Sequence, residues 1–400
     1  MKWVSSIKYL STDFGGRTMS VTDMTLRLTF SNNLNGDRLR IRLTNRYAPV
    51  PLTIAHMTAG IFTGTEIRSL TDVTLHGRKT MVINPDEELF SDDIALNVRA
   101  GDILSVSVYF KEKQDIYGLR SFWSETGPKV LLGKGDHTDG SPFEESEPDD
   151  LAEAIRNDVH KMFYFFGFDA VQVYTHDDVH AIAAFGDSIT HMSYFTNALT
   201  RCLYSRYPGR VSLLNCGIGG NRLVHDASCN PQTGKPITVF GEAGVNRFER
   251  NVFEIDQPDT VLMLIGINDI MHPLQFNESK EPTPAEELIA GYRRIAETAH
   301  RHHAEILIGT IMPCGNNEYP DWWMEAFEKT RQKVNSWIRT QSVFDDVMDY
   351  DALMRDEENP RYLKGNLHLG DGLHPNDSGG EKMTAAIDLN RLAEGGKENA

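Results

Sequence analysis

The sequence predicts an α/β chain of two domains: a β-sandwich or jelly-roll-like domain over residues 1–176, then a doubly wound parallel α/β domain over residues 177–400. Three observations carry this. At 400 residues the chain is longer than one ordinary hydrophobic core organises. Up to about residue 175, short runs alternate apolar and polar residues between turn signals, the period-two pattern of half-buried antiparallel strands. From Val179 onward, short apolar strands alternate with helical periodicity, the signature of repeated β–α units.

In the first part, residues 25–30 and 38–43 alternate strictly, the second run following a turn at Asn35-Gly36. The arginines at 38, 40 and 42 are expected to mark a solvated face. Gly101-Asp102 opens another strand at residues 103–110, and the acidic run from Glu144 to Glu153 predicts a surface loop leading into a short helix. In the second part, residues 182–185, 211–214 and 261–265 are apolar enough for central parallel strands covered on both faces. Residues 194–205 have helical periodicity. After Pro282 a helix is expected with Thr283 as its cap, Pro284 at its first position and Glu286 completing a capping box. Leu288, Tyr292, Ile295 and Ala299 form its apolar face. A strand at 306–308, a helix at 322–339, a strand near Val347-Met348 and a last helix at 379–391 complete the pattern, with residues 395–400 expected to fray.

The formal net charge of −17 disfavours nucleic acid and anionic membrane as partners, and points to a neutral small molecule or oligosaccharide as substrate. No apolar run reaches membrane-spanning length, and the start at Met1-Lys2-Trp3-Val4 carries no apolar leader, so a cytoplasmic location is expected unless a signal was trimmed. Cys202, Cys216, Cys229 and Cys314 fall in no metal spacing and read as free, mostly buried thiols. His300, His302 and His303 close a predicted helix, where cations meet the helix dipole favourably, so neither metal nor other cofactor is expected. Trp322 and Trp323 read as a helix face packed on the sheet, with sugar stacking as the other reading.

Four short motifs carry the chemistry: Gly186-Asp187-Ser188-Ile189, Asn215 to Asn221 with Gly219-Gly220, Gly266-Ile267-Asn268-Asp269, and Asp371-Gly372-Leu373-His374. Ligands of a doubly wound sheet bind outside the carboxyl ends of its strands, and Ser188 lies just past one. A serine hydroxyl needs a base to take its proton, and His374 is the candidate, with Asp371 three residues earlier to hold one ring nitrogen. Attack on an ester creates an oxyanion; the backbone N–H groups of Ser188 and Gly220 and the side-chain amide of Asn268 are candidate donors. Each motif also has a plainer reading: a helix cap for Asp-Ser, a glycine turn, an Asx turn, and a surface histidine before Pro375. Thr190 stands where a Gly-x-Ser-x-Gly elbow needs its last glycine, which disfavours an ordinary α/β-hydrolase. Asp187, Asn221, Arg222 and Asp269 adjoin these residues and are candidates either for orienting substrate or for bracing the loops.

In their order, the four motifs resemble the blocks of the SGNH (GDSL) hydrolases. The resemblance covers roughly residues 179–391 and assigns the catalytic serine, oxyanion glycine, oxyanion asparagine and Asp-x-x-His pair to Ser188, Gly220, Asn268, Asp371 and His374. The stretches 217–223 and 266–270, with Trp3-Val4 and Gly135-Asp136-His137-Thr138, are similar to a two-domain, xylan-esterase-like branch with an N-terminal β-domain. The resemblance implies a three-layer α/β/α, flavodoxin-like hydrolase domain, no metal, and hydrolysis of short-chain esters, often acetyl groups on carbohydrates such as xylo-oligosaccharides. The loop from Val224 to Gly244 looks longer than that branch requires, and the acidic segment after Ser141 looks inserted. The expected function is therefore that of a serine esterase acting on short acyl groups. Two rivals remain: a lipid or thioester acylhydrolase, against which the polar Thr190, His191 and Ser193 speak, and a non-catalytic carbohydrate-binding protein.

Overall fold

A computed structural model describes residues 1–279, 281–315 and 319–394; the C-terminal stretch expected to fray lies outside them. Contacts between residues divide the chain into two compact units, Met1–Val179 with Tyr204–Leu214, and His180–Leu203 with Asn215–Ala400. Tyr204–Leu214, expected in the hydrolase half, groups with the first unit. Asn33 Nδ2 donates to the carbonyls of Tyr207 at 3.0 Å and Val211 at 2.8 Å, and Ser212 Oγ donates to Ser5 O at 2.5 Å.

The first unit is built from antiparallel ladders, as the alternation predicts. One five-stranded sheet runs Lys2–Lys8, Phe168–Thr175, Gly36–Thr44 and Glu88–Phe90, with Ile94–Val98 also paired to Gly36–Thr44. The other runs Lys129–Lys134, Met24–Ser31, Ile103–Phe110, His56–Phe62 and Ile67–Asp72. Asn35-Gly36 is not a hairpin turn: the strands on either side of it belong to different sheets. The acidic loop ends in a one-turn helix, Glu153–Arg156, as expected.

The arginines of Gly36–Thr44 do not form a solvated face. The Arg38 guanidinium lies 4.2 Å from the Tyr174 ring centre, and that of Arg40 lies 4.5 Å from Trp3 and 3.9 Å from Phe90, so these cationic groups cover aromatic surface. Arg42 is buried and grips Asp169 with two bonds, 2.8 Å from Nε and 2.6 Å from Nη2. Strict alternation places the three on one face but cannot say what covers that face.

The C-terminal half of the chain holds a parallel sheet. Its strands, in spatial order, are Val211–Gly217, His180–Gly186, Thr260–Leu264, Glu305–Gly309 and Asp346–Met348. Numbered along the chain this order is 2-1-3-4-5, the flavodoxin-like arrangement, and the strand order reverses beside the first strand. The three strands there are buried almost throughout. Helices Tyr194–Arg206, Gly244–Phe253, Ala285–Arg301 and Asp321–Thr340 connect them. Trp323 is buried and stacked on Tyr319 at 4.0 Å, whereas Trp322 is 54% exposed. No helix among the described residues is long and apolar enough to cross a membrane.

Two helix expectations are corrected. Ala285–Arg301 begins one residue late, with Pro284 as its non-helical cap (φ −57°, ψ 139°) and no side-chain cap bond. Thr283 is thereby left outside the first turn, and Glu286 pairs with Lys333 instead of closing a capping box. Leu288, Tyr292, Ile295 and Ala299 are buried as expected. The last helix is two, Asp377–Thr384 and Leu389–Glu394, because the Asp388 carboxylate accepts from the N–H groups of Asn390 and Arg391 and starts a new first turn.

The buried Arg42–Asp169 pair sets a stability expectation. Arg42→Met should cost about 3 kcal/mol of unfolding free energy or more in a urea titration, since it leaves Asp169 buried without its hydrogen-bonded cationic partner. The double variant Arg42→Met/Asp169→Leu should recover most of that loss.

Candidate active site

The strand His180–Gly186 ends at a turn that allows no side chain at 186, since a Cβ there would overlap Thr190 and the Leu264 carbonyl. Asp187 caps the short helix Ser188–His191 by accepting from Ile189 N–H at 3.1 Å. The plain capping role foreseen for this turn therefore exists, and it belongs to Asp187. Ser188 is the first helical residue, and its N–H has no protein acceptor among the described residues.

The loop after Val211–Gly217 is bonded with one exception. Gly217 N–H donates to Asn215 Oδ1 at 3.0 Å, Ile218 N–H to Gly186 O at 3.1 Å, Gly219 N–H to His191 Nδ1 at 2.9 Å, and Asn221 N–H to Ile218 O at 3.2 Å. Gly220 N–H has no protein acceptor among the described residues. Its φ of +71° is the left-handed region that glycine tolerates. Asn268, near the start of helix Ile267–Gln275, is buried and spends one amide proton on Asn221 O at 3.0 Å. Its second amide proton has no protein acceptor among the described residues.

The Asp371-Gly372-Leu373-His374 turn brings acid and base together. Asp371 Oδ1 accepts from Leu373 N–H at 2.9 Å and His374 N–H at 3.0 Å, and Oδ2 lies 2.6 Å from His374 Nδ1. His374 Nε2 lies 2.8 Å from Ser188 Oγ. A carboxylate only accepts, so Nδ1 carries the proton and neutral Nε2 faces the serine hydroxyl as an acceptor. Partial burial works to raise the Asp371 carboxyl, but the bond from His374, its charge and the two backbone N–H groups hold it well below the usual carboxylate range. His368, which sequence reasoning passed over, steadies this turn: its Nδ1 accepts from Gly370 and Gly372 N–H at 3.0 and 3.1 Å.

The structure thus brings Ser188, His374 and Asp371 into one hydrogen-bonded line. The four candidate substrate residues are bonded within the chain. Asp187 is 1% exposed, and Asn221 donates to the carbonyls of Phe240 and Glu242 at 2.7 and 2.8 Å. Arg222 donates to Asp226 O and ion-pairs with Glu278 at 2.7 Å. Asp269 accepts from Leu223 and Val224 N–H at 2.6 and 3.0 Å. Each of these side chains bonds to neighbouring backbone or loop groups. Thr190, His191 and Ser193 are likewise buried, so they do not make a polar entrance.

The residue that sequence reasoning missed is Arg247, on helix Gly244–Phe253. It is 1% exposed, and its guanidinium donates to Gly186 O at 2.8 Å, Cys216 O at 3.0 Å and Asn221 Oδ1 at 2.9 Å. The first two are strand-end carbonyls before Ser188 and Gly220; the third belongs to the residue whose carbonyl holds Asn268. An arginine in an amphipathic helix carries no local sign of this. Cys216 is buried, with Sγ 3.5 Å from Asn251 O, and Cys314 is buried; Cys202 and Cys229 are exposed, so half rather than most of the thiols are inside. His300 and His302 pair with Asp345 and Glu249 at 3.0 and 2.7 Å.

Residues 184–382 match the family model described as GDSL-like Lipase/Acylhydrolase family. Among solved structures, a GDSL-like lipase from Bacteroides thetaiotaomicron is 17% identical, covering 52% of this chain and 85% of its own, with a TM-score of 0.36. A catalytic mutant of an acetylxylan esterase from Geobacillus stearothermophilus is 18% identical, covering 53% and 94%, with a TM-score of 0.38. No curated protein matches.

Burial pushes the Asp187 carboxyl up to about 7, with the charge of Asp269 adding to it while the Ile189 N–H and Arg247 oppose it. A carboxyl that holds its proton more tightly in the folded state weakens folding as pH rises from about 4 toward that value. Asp187→Asn keeps an acceptor for Ile189 N–H and removes the charge. Its melting temperature minus that of the wild type should therefore grow more positive from pH 5 to pH 8; a constant difference would mean that Asp187 is ionised across that range. With its flavodoxin-like sheet and this family match, the protein is a hydrolase that carries a GDSL-like lipase/acylhydrolase domain over residues 184–382.

Proposed function

We propose that the protein is a serine esterase that removes short acyl groups, acetyl foremost, from a neutral carbohydrate such as a xylo-oligosaccharide. The observation that carries the mechanism is the line Asp371–His374–Ser188, with spacings of 2.6 and 2.8 Å. Ser188 Oγ attacks the ester carbonyl as His374 Nε2 takes its proton. Asp371 keeps Nδ1 protonated, orients the ring and stabilises the imidazolium. The carbonyl oxygen becomes an oxyanion held by the Ser188 and Gly220 N–H groups and the Asn268 amide, three donors with protons to spare before substrate arrives. His374 returns its proton to the departing alcohol, leaving an acyl-enzyme. Water, deprotonated by His374, then attacks the acyl carbon, and the acid leaves as Ser188 recovers its proton. The acetyl and carbohydrate assignments rest on the resemblance of the four blocks and the β-domain to xylan-esterase-like enzymes. The charge of −17 adds a reason to expect a neutral substrate.

Release of p-nitrophenol from acetate, butyrate and octanoate esters tests this. Wild type should turn over acetate fastest, and Ser188→Ala should lose turnover by several orders of magnitude while keeping its circular dichroism and melting temperature. Near-normal activity in that variant overturns the mechanism, and turnover that rises with chain length overturns the short-acyl assignment. Asn268→Ala should lower kcat roughly 10²–10³-fold, the usual effect of losing one oxyanion donor. An unchanged kcat would remove Asn268 from the oxyanion site.

A further inference from the structure

The loop between Leu223 and helix Gly244–Phe253, longer than the resemblance requires, delivers one side chain to the oxyanion loop. The short helix Thr238–Phe240 sets the Phe240 ring directly against Gly220, so that a Cβ at position 220 would overlap the ring atoms. Gly220 is therefore constrained twice, by its positive φ and by this ring. Phe240 is half-buried. Its ring centre lies 4.9 Å from that of His272 and 5.9 Å from that of Phe276, which back it from helix Ile267–Gln275 and its cap.

The loop is pinned at several points. Phe240 O accepts from Asn221 Nδ2 at 2.7 Å. Ala227 N–H donates to Gly241 O at 3.0 Å, and Ile237 N–H to Ser228 O at 2.8 Å. Ser228 Oγ lies 3.2 Å from His272 Nδ1, and Cys229 N–H donates to Glu278 at 3.3 Å. The ring is thus a fixed wall, held by the same Asn221 that carries Asn268.

In the tetrahedral adduct one carbon bears the oxyanion, the acyl substituent and the alkoxy group. The alkoxy oxygen must lie by His374 Nε2 to receive its proton. The oxyanion is held at the Gly220 N–H, so the acyl substituent on the same carbon, directed away from His374, runs beside the Gly220 loop, against which Phe240 stands. We propose that Phe240, backed by Phe276, determines acyl specificity: it closes the space beside Gly220, admits an acetyl group and excludes longer chains. This rests on the esterase reading above and names the residue that sets its preference for short acyl groups.

The test is kcat/KM of the full chain on p-nitrophenyl acetate, butyrate and octanoate for wild type, Phe240→Ala and Phe240→Leu. Opening the wall should raise the butyrate-to-acetate and octanoate-to-acetate ratios at least about tenfold in Phe240→Ala, the scale of one or two methylenes in an apolar pocket. Phe240→Leu keeps a contact on Gly220 and should move the ratios the same way by less. If circular dichroism shows Phe240→Ala unfolded, the leucine variant decides. Ratios unchanged or lowered, with acetate still turned over, overturn the wall and leave the esterase standing. A wild type inactive on all three esters overturns both.

Discussion

The buried guanidinium of Arg247 is the point on which the geometry of the site depends. Ser188 and Gly220 lie on turns after two neighbouring strands, and besides the direct bonds from Ile218 N–H to Gly186 O and from Gly219 N–H to His191 Nδ1, a buried cation ties the two turns together. Arg247 does so by donating to the carbonyls that end each strand, Gly186 and Cys216, and to the side chain of Asn221. Asn221 in turn accepts from Asn268 through its own carbonyl, so the third strand end joins the same network. The guanidinium is shared among neutral oxygens, and burial lowers its pKa to about 9. A buried charge of this kind adds little net stability, but removing it would take one donor each from Gly186 O, Cys216 O and Asn221 Oδ1, so its effect is mainly on specificity of arrangement.

That arrangement follows from strand order. A parallel sheet presents all its carboxyl ends on one edge, and the 2-1-3-4-5 order sends the chain to opposite sides of the first strand. Ser188, Gly220 and Asn268 come from the first, second and third strands along the chain, which are three adjacent strands in space. The Asp371–His374 turn completes the line from a segment without regular structure, where His368 and the glycines at 370 and 372 replace a helix or strand as support. The donors proposed for the oxyanion differ from the structural ones in having no protein acceptor among the described residues. In the run 217–221 four of five N–H groups are bonded, and the fifth is Gly220.

Most of the polar residues around the reacting groups are scaffold. Asp187, Asn221, Arg222 and Asp269 hold loops, and Asp269 does so as a carboxyl that burial raises to about 6 against two backbone N–H donors. This leaves few side chains free to discriminate among substrates. The loop after Leu223 supplies one in Phe240, and variation of such a loop can change specificity without disturbing the network beneath the nucleophile.

Patterns confined to a few residues were legible in the sequence. Period-two alternation located the antiparallel strands, uninterrupted apolar runs located the parallel ones, and four short blocks located Ser188, Gly220, Asn268, Asp371 and His374. Each of these signals is written within one element, because backbone geometry repeats every two or 3.6 residues. Features that depend on what another element brings were decided by tertiary structure. Arg42 reads like any exposed strand arginine until Asp169, 127 positions away, meets it. Thr283 and Glu286 satisfy a capping pattern, yet Pro284 starts the helix and Lys333 takes the glutamate. Arg247 and Phe240 have no local mark at all. Hydrogen-bond partners and van der Waals neighbours are properties of the closed chain, so the sequence alone determined where the four motifs lie, and only folding decided which residues hold and surround them.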